Sequence, residues 1–313
     1  MKHSIVMFTI SAISALAFQV QPSEAQTKVF LGRWDLNVTT STETYPQWME
    51  VKEDDGYPIR IQPRGRAVRP ATSAKWEGAH FVITLVPRVG DRPEVIWELS
   101  IPDGKTFTGI QKTGGVIDAK LTGVRAPALR RDEPNAWGRP EKLFNGKDLT
   151  GWEPIANRRP SRWEVKDGEL VNPESGANLK STRKFDDFKL HIEFNCPEHG
   201  NSGIYLRGRY EIQIGTEGGK LPSHEMGAIY GYHAPAKEVP PRPNEWQTYD
   251  ITLVGRQVTV IHNGVMIHDK QEMEGITGGA LDSNEDEPGP FFLQGDHKGL
   301  LRFRNITISV PKK

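Results

Sequence analysis

The chain has 313 residues with 40 basic and 40 acidic side chains, so its formal net charge is zero. Balanced charge without a basic run disfavours nucleic acid or an anionic membrane as the main partner. The single cysteine, Cys196, excludes an internal disulfide framework. The 31 glycines and 23 prolines punctuate short alternating runs, a composition that favours strands and turns over helices.

Residues 1–25 have the pattern of a secretory signal peptide. A cationic start precedes an apolar run over residues 5–20, and Ser23 and Ala25 supply the small side chains before a cut after Ala25. The run is shorter than the roughly 20 apolar residues that a membrane helix needs. We therefore expect a secreted protein of the bacterial periplasm or cell surface, with no membrane insertion after cleavage. The sequence does not indicate an oligomeric state.

Residues 28–129 contain eight short strand candidates with short connections, which predicts a small up-and-down β-barrel-like domain. An early Trp34 and a late Arg125 resemble the pair that stacks in lipocalin-like barrels. Since a fold does not by itself imply a function, this domain is interpreted as positioning the next one. Residues 130–141 are charged, proline-rich and aperiodic, which predicts a linker.

Residues 142–311 contain eleven further short strand candidates, more than a small barrel holds. Two packed antiparallel sheets bury them best, so we predict a two-sheet jelly-roll sandwich and an all-β fold class for the whole chain. Asn263 and Gly264 form a two-residue hairpin turn that sets the register of the strands on either side.

A polar face runs along residues 201–214. Successive side chains of an extended strand face opposite ways, and that alternation places five polar side chains together: Tyr205, Arg207, Arg209, Glu211 and Gln213. Planar groups interleaved with tyrosine suit sugar hydroxyls and stacking faces, which predicts a carbohydrate-binding cleft. A solvated outer sheet face has a similar pattern and is the alternative interpretation.

Two loops carry further candidate residues. Gln294 ends a strand and leads into Asp296 and His297, and an adjacent aspartate can orient an imidazole or raise its pKa. His224 and Tyr230 lie in an irregular stretch at about residues 215–244, a length typical of lids and binding loops.

Several motifs then occur in a recognisable order: LFNGKDLTGW, NSGIYLRGRYEIQI, GAIYGYHAP, EWQTYDIT, HNGV and FLQGDHKGLLRFRNI. With them, residues 142–311 resemble the 3-keto-disaccharide hydrolase domain family. The resemblance implies a concanavalin-like jelly roll and action on glycosides oxidised to a ketone at carbon 3. It places these residues in family motifs: Arg207, Glu211, Gln213, Tyr230, Gln294, Asp296 and His297. Gly295 is an additional residue in the last of these motifs.

The implied chemistry needs a base for the carbon 2 proton, a group for the enolate oxygen and an acid for the leaving oxygen. His297, oriented by Asp296, is the first candidate base, and Arg207 suits the oxyanion because it stays protonated. Glu211 is the acid, or the base with the histidine as acid. The expected substrate contacts are Gln213, Arg209, Tyr205, Tyr230, Gln294 and His224.

No cofactor is indicated with certainty. A divalent metal ion is an alternative to the arginine as electrophile, with His224, Glu225, Asp296 and His297 as ligand types, but these residues do not show the spacing of a known site.

Two other functions stay open. An ordinary glycoside hydrolase needs two carboxylates, and Glu211 with Asp296 are possible partners. Gln213 occupies a place where laminarinase-like jelly rolls usually carry a second glutamate. The other is a carbohydrate-binding module without turnover, against which the Asp296–His297 pair favours an enzyme. Dinucleotide redox chemistry is disfavoured because no glycine-rich fingerprint follows a strand.

Overall fold

The computed structural model describes residues 28–53, 58–86, 92–155, 159–216 and 221–312. The expected signal peptide lies outside them, and so does the Asp54-Asp55-Gly56 segment, whose residue types predict a hairpin turn. In the described part of the chain no helix is long and apolar enough to cross a membrane.

Nine strands of the described N-terminal half form one antiparallel sheet: β1 (Gly32–Thr39), β2 (Thr44–Val51), β3 (Ile59–Gln62), β4 (Arg69–Pro70), β5 (Ser73–Glu77), β6 (His80–Leu85), β7 (Val95–Ser100), β8 (Thr106–Thr113) and β9 (Val116–Arg125). Their order is β4-β3-β2-β1-β9-β8-β7-β6-β5. Consecutive strands are therefore neighbours, and the first strand also pairs with the last.

The sheet curls until its two edges meet. The edge strands β4 and β5 are separated in the chain by only Ala71 and Thr72. The first of these residues bonds to β3 and the second to β6, so the two edges of the sheet lie close together. Ala71 N donates to Ile59 O, and Thr72 N donates to Thr84 O, both at 2.8 Å. The predicted up-and-down, barrel-like meander is confirmed, with β4 as an additional short strand.

Alternate side chains of this sheet fill the barrel interior, as the period of two requires. Trp34 is fully buried, and the guanidinium carbon of Arg125 lies 4.0 Å from the centre of its ring. Arg125 also donates a hydrogen bond to the carbonyl of Leu31. The predicted stacking of the early tryptophan and the late arginine is present, and the hydrogen bond ties the end of β9 to the segment before β1.

The remaining strands are β10 (Glu141–Lys142), β11 (Trp152–Pro154), β12 (Glu164–Lys166), β13 (Glu169–Asn172), β14 (Leu179–Phe185), β15 (Phe188–Asn195), β16 (Asn201–Leu206), β17 (Tyr210–Gly215), β18 (Trp246–Val254), β19 (Gln257–His262), β20 (Val265–Glu272), β21 (Gly289–Leu293) and β22 (Leu301–Ser309). One sheet has the order β12-β13-β22-β15-β18-β19-β20, with β10 beside β22, and the other has the order β11-β14-β21-β16-β17. Both are antiparallel in every pair. The predicted two-sheet sandwich is confirmed.

The core of the sandwich lies between these sheets. Phe188, Ile192 and Phe194 of β15 face Ile212 of β17 and Phe291 of β21, and all five are essentially buried. Because these apolar side chains occupy one face of each strand, the other face of the five-stranded sheet is left for polar groups. That outer face carries the candidate site.

The barrel packs directly against the sandwich. The indole of Trp48 packs against Gly275 so closely that a Cβ atom there would collide with it, and its ring centre lies 5.8 Å from that of Tyr232. Arg33 Nη1 pairs with Glu272 Oε1 at 2.5 Å. These contacts hold the barrel against the end of β20, the segment that follows it and the loop after β17.

Candidate functional site

The hairpin of β16 and β17 places Tyr205 directly opposite Glu211. The Tyr205 hydroxyl donates a 2.6 Å hydrogen bond to Glu211 Oε2. Gly203 leaves room for this carboxyl group, because a Cβ atom there would lie 2.8 Å from Glu211 Cγ. The Tyr205 ring stacks on Phe292 of β21 with centroids 3.7 Å apart. The sheet therefore holds the Glu211 carboxyl group in one orientation.

The environment of Glu211 favours its neutral form. Burial raises the pKa of Glu211 to about 8, with the hydrogen bond from Tyr205 opposing the rise and the negative charge of Asp296 adding to it. The residue is only 2% exposed, so the cost of removing the charged form from water dominates. At neutral pH this carboxyl group keeps its proton and is able to act as an acid.

The loop after β21 presents Asp296 and His297. Gly295 fits there because a Cβ atom would lie 2.8 Å from the Ala177 carbonyl oxygen. The carbonyl oxygen of Asp296 accepts hydrogen bonds from Arg159 Nη1 at 2.6 Å and from Ser175 Oγ at 2.7 Å. The additional glycine thus lets the loop seat tightly against its neighbours.

The predicted orientation of His297 by Asp296 is not a hydrogen bond in this structure. His297 Nε2 lies 3.8 Å from Asp296 Oδ1, which is beyond hydrogen-bonding distance. The His297 side chain is 46% exposed, so it stands at the rim of the cavity rather than in its floor.

A cavity of about 760 Å³ brings most of the predicted residues together. From the sandwich, its lining includes Tyr205, Glu211, Gln213, Tyr230, Gln294, Asp296 and His297. A cavity of this size accommodates a disaccharide or a glycoside with a sizeable aglycone.

Two buried polar atoms of this lining have no hydrogen-bond partner among the described residues: Gln294 Oε1 and Asp296 Oδ1. Buried polar atoms are almost always paired in native proteins, so unpaired acceptors in a cavity wall are available for ligand donors. Sugar hydroxyl groups are such donors. The cavity is therefore suited to a polyhydroxylated ligand.

Arg207 and Arg209 do not reach the cavity, which corrects the polar face expected along residues 201–214. Arg207 has φ 50° and Gly208 has φ 69°, so the chain reverses here and the alternation of an extended strand does not continue through the turn. Arg207 Nη2 donates to the Gly255 carbonyl oxygen at 3.0 Å, and Arg209 Nε pairs with Asp282 at 2.7 Å. The oxyanion role expected of Arg207 does not fit this position.

His224 lies behind Tyr230 rather than in the cavity wall. The two rings stack with centroids 4.6 Å apart, and burial lowers the pKa of His224. A neutral imidazole in this position supports the Tyr230 ring, so a direct substrate contact by His224 does not match the geometry.

The cavity has further lining residues that the sequence patterns did not indicate. Arg159, Asn178 and Asn201 line it from loops and strand ends of the sandwich. A second group comes from the barrel: Glu43, Thr44, Tyr45, Pro46, Arg64 and Gly65. Asn201 opens the NSGIY motif, which was a usable signal, whereas Arg159 lies in an aperiodic charged segment without one.

Within the described ranges, three or more histidine, cysteine, aspartate or glutamate side chains do not converge anywhere as a group that could hold a metal ion.

Comparisons with known proteins point to carbohydrate chemistry. The family model described as a 3-keto-alpha-glucoside-1,2-lyase-like domain matches residues 139–309. A 3-keto-disaccharide hydrolase of Bacteroides thetaiotaomicron is 32% identical over 73 residues, covering 20% of this chain and 25% of that protein. The match thus spans about a quarter of the length of this curated relative.

Solved structures of candidate glycosyl hydrolases from Parabacteroides distasonis are also similar. One is 29% identical and covers 57% of this chain and 92% of its own, with a TM-score of 0.49. Another is 18% identical and covers 56% of this chain and 94% of its own, with a TM-score of 0.46.

Proposed function

The chain belongs to the family of 3-keto-alpha-glucoside-1,2-lyase-like domains, and we propose that it cleaves the glycosidic bond of glycosides whose carbon 3 is oxidised to a ketone. The observation that carries the proposal is the buried Glu211 carboxyl group, held neutral beside Asp296 in a polar cavity large enough for such a substrate. The name of the Bacteroides relative supports the same substrate class.

The proposed reaction begins at carbon 2, whose proton is acidified by the neighbouring ketone. A base removes that proton, and the electrons of the C–H bond form an enolate. The enolate collapses to an enone as the bond between carbon 1 and the leaving oxygen breaks, and an acid protonates that oxygen. Addition of water across the new double bond then completes a net hydrolysis.

Glu211 is assigned as the acid in this proposal. Its pKa of about 8 keeps it protonated at neutral pH, and a catalytic acid is most effective when its pKa lies near the working pH. Asp296 contributes by making loss of that proton less favourable. A carboxyl group that keeps its proton beside a second carboxyl group is a recurring arrangement for acid–base work.

His297 is assigned as the base, since it stands at the cavity rim with an exposed imidazole. Arg159 replaces Arg207 as the cation for the developing enolate oxygen. It lines the cavity beside the His297 loop and, as an arginine, stays protonated throughout. Gln213 and Gln294 supply side-chain amides to the sugar hydroxyl groups.

The test compares an aryl 3-keto-glucoside with its unoxidised parent, in D₂O and with and without chelator. We expect aglycone release from the keto compound alone, with deuterium at carbon 2 of the sugar product. His297→Ala should lower that release at least about a hundredfold. Release from the parent without deuterium would instead support two-carboxylate hydrolysis, and binding without release would support a sugar-binding module.

We also propose that the protein is exported, on the pattern of residues 1–25. Mass spectrometry of the protein from its native cell envelope should find a chain that begins at Gln26. An intact N-terminus in the cytoplasmic fraction would contradict export.

A further inference from the structure

The barrel forms one wall of the cavity, although the family match begins only at residue 139. Two of its segments supply this wall. The end of the β1–β2 connection and the start of β2 bring Glu43 and Tyr45, and the segment after β3 brings Arg64 and Gly65. The sandwich domain alone would leave the cavity open on this side.

This wall is held by close backbone contacts. Gly65 N donates to the Gly278 carbonyl oxygen at 2.6 Å, and Val68 N donates to the Gly231 carbonyl oxygen at 3.3 Å. A Cβ atom on Gly278 would lie 2.7 Å from Arg66 N, so glycine is what allows the two chains to approach. The loop after β3 is therefore seated on the sandwich rather than hanging over it.

The wall lies on the side of the proposed acid. Gly279 follows the residue that binds Gly65, and a Cβ atom on it would collide with the Tyr205 hydroxyl group, which donates to Glu211. Since Glu211 protonates the leaving oxygen, the group attached to that oxygen lies near this acid. The barrel is thus placed to contact the aglycone.

The wall also joins a second cavity. Tyr45 and Arg64 line both the first cavity and another of about 410 Å³ in the barrel. The guanidinium carbon of Arg64 lies 4.7 Å from the centre of the Tyr45 ring, and Arg64 Nη1 pairs with Glu43 Oε1 at 2.6 Å. This arrangement presents a stacking surface at the junction of the two cavities.

The second cavity combines apolar and cationic lining. Leu85, Val95 and Trp97 contribute apolar surface. Four arginines line it as well: Arg64, Arg66, Arg69 and Arg92. Among its described lining residues there is no aspartate or glutamate. Two carboxylates next to it are engaged by protein groups: Glu43 pairs with Arg64, and Asp118 accepts hydrogen bonds from Gln111 and Thr113. Such a lining favours a flat or acyl group that carries negative charge.

We propose that the barrel is the aglycone-binding subsite, with Tyr45 and Arg64 as a platform, and that the preferred aglycone carries an anionic group received by Arg66 and Arg92. This inference rests on the proposed cleavage of 3-keto-glycosides. It makes the barrel a specificity-determining domain instead of a passive support.

The test uses two 3-keto-glucosides with closely matched leaving groups, the 4-(carboxymethyl)phenyl compound and its neutral amide. We expect kcat/KM to be roughly tenfold higher for the acid, through KM, because hydrogen bonds to charged groups are the stronger ones. The double variant Arg66→Gln with Arg92→Gln should abolish this preference by lowering kcat/KM for the acid to the value for the amide. Lys120→Gln removes one exposed positive charge from β9 outside both cavities and is the matched control.

Substitution of Tyr45, the aromatic part of the platform, tests the stacking interaction, which does not depend on the charge of the aglycone. Tyr45→Ala should raise KM for both aryl compounds by about tenfold with little change in kcat, and Tyr45→Phe should restore KM because stacking needs only the ring. Equal kcat/KM for acid and amide in the wild-type protein, or a preference that survives the double variant, would overturn the inference.

A direct binding measurement distinguishes failure of the proposed aglycone subsite from failure of the proposed reaction. Calorimetric titration with 4-hydroxyphenylacetate, the free aglycone, should show binding that the double arginine variant weakens about tenfold. If neither keto compound is cleaved but this binding is seen, the reaction is refuted and the subsite stands. Absent binding, or equal binding by both proteins, refutes the subsite.

Discussion

Two buried carboxylic acids in this molecule have raised pKa values but different surroundings. Glu211 lines the open cavity, and its pKa rises to about 8. Asp35 lies between the barrel and the sandwich, where burial first and the charge of Glu285 second raise its pKa to about 10. Glu285 is fully buried and forms two hydrogen bonds with Arg256, at 2.8 and 2.7 Å.

Glu211 and Asp35 differ in whether a ligand can reach them. Glu285 also accepts a 2.5 Å hydrogen bond from Tyr210, and Arg256 is held by the Pro127 carbonyl oxygen, so protein groups occupy this cluster. Glu211 instead faces a space that a ligand can enter. A raised pKa marks burial, and only a cavity next to the raised group indicates chemistry.

Replacement of the cavity acid should have the largest effect. Glu211→Gln removes the transferable proton while keeping shape, so kcat on a 3-keto-glucoside should fall about 10² to 10⁴-fold. Steady-state kinetics measures this, with circular dichroism to show an intact fold. Asp35→Asn is the matched control and should keep kcat within about threefold. A wild-type kcat in the Glu211→Gln variant would contradict the assignment of Glu211 as the catalytic acid.

Replacement at the interface should instead act on stability. Glu285→Gln removes the carboxylate that forms two hydrogen bonds with the buried Arg256 guanidinium, so the free energy of unfolding should fall by about 3 kcal/mol. Urea denaturation measures the loss, and kcat of the folded fraction at low temperature should stay within about threefold. A large loss of kcat with unchanged unfolding would show that this cluster belongs to the active site.

The two acids should also differ in how they respond to pH. Both folded pKa values lie above the ordinary 4.5 and 3.8, so the stability each contributes is complete below about pH 4 and is lost as pH rises to about 8 for Glu211 and to about 10 for Asp35. Each loss has a slope of up to about 1.4 kcal/mol per pH unit. Urea denaturation at pH 5, 7 and 9 measures it.

Only Glu211 should affect the rate profile. Since its acid form is the active one, kcat should decline as pH rises through about 8. Asp35→Asn should flatten the stability profile above pH 8 and leave this decline in place. If the Asp35→Asn variant shifted the pH at which kcat declines, Asp35 would also affect the rate, and the assignment of the rate profile to Glu211 alone would be contradicted.

The smallest change should come from Tyr205→Phe. The Tyr205 hydroxyl stabilises the charged form of Glu211, so its removal should raise the Glu211 pKa further and move the falling limb of kcat up by as much as about one pH unit. A pH profile of kcat measures this shift, and Tyr210→Phe, which removes the equivalent bond to Glu285, should not move it. A downward shift in Tyr205→Phe would reverse the assigned role of the hydroxyl.

Much of the fold follows from local patterns. Alternation with a period of two, interrupted by glycine and proline, was enough to predict the longer strands of both halves and the two-sheet sandwich, but not the short strands β4, β10 and β11. The same alternation placed Tyr205, Glu211 and Gln213 on one face, because those residues lie within β16 or β17. It misplaced Arg207, because a left-handed turn residue between the strands breaks the alternation.

The amino-acid sequence by itself determined the all-β fold and, through its family motifs, the carboxyl and imidazole groups of the candidate site. Only the tertiary structure decided which groups share the cavity. The contact of Gly65 with Gly278 and the stacking of Arg64 on Tyr45 depend on how the barrel docks and curls. Local periodicity carries no information about pairs so far apart in the chain, since their proximity arises from packing of the completed domains.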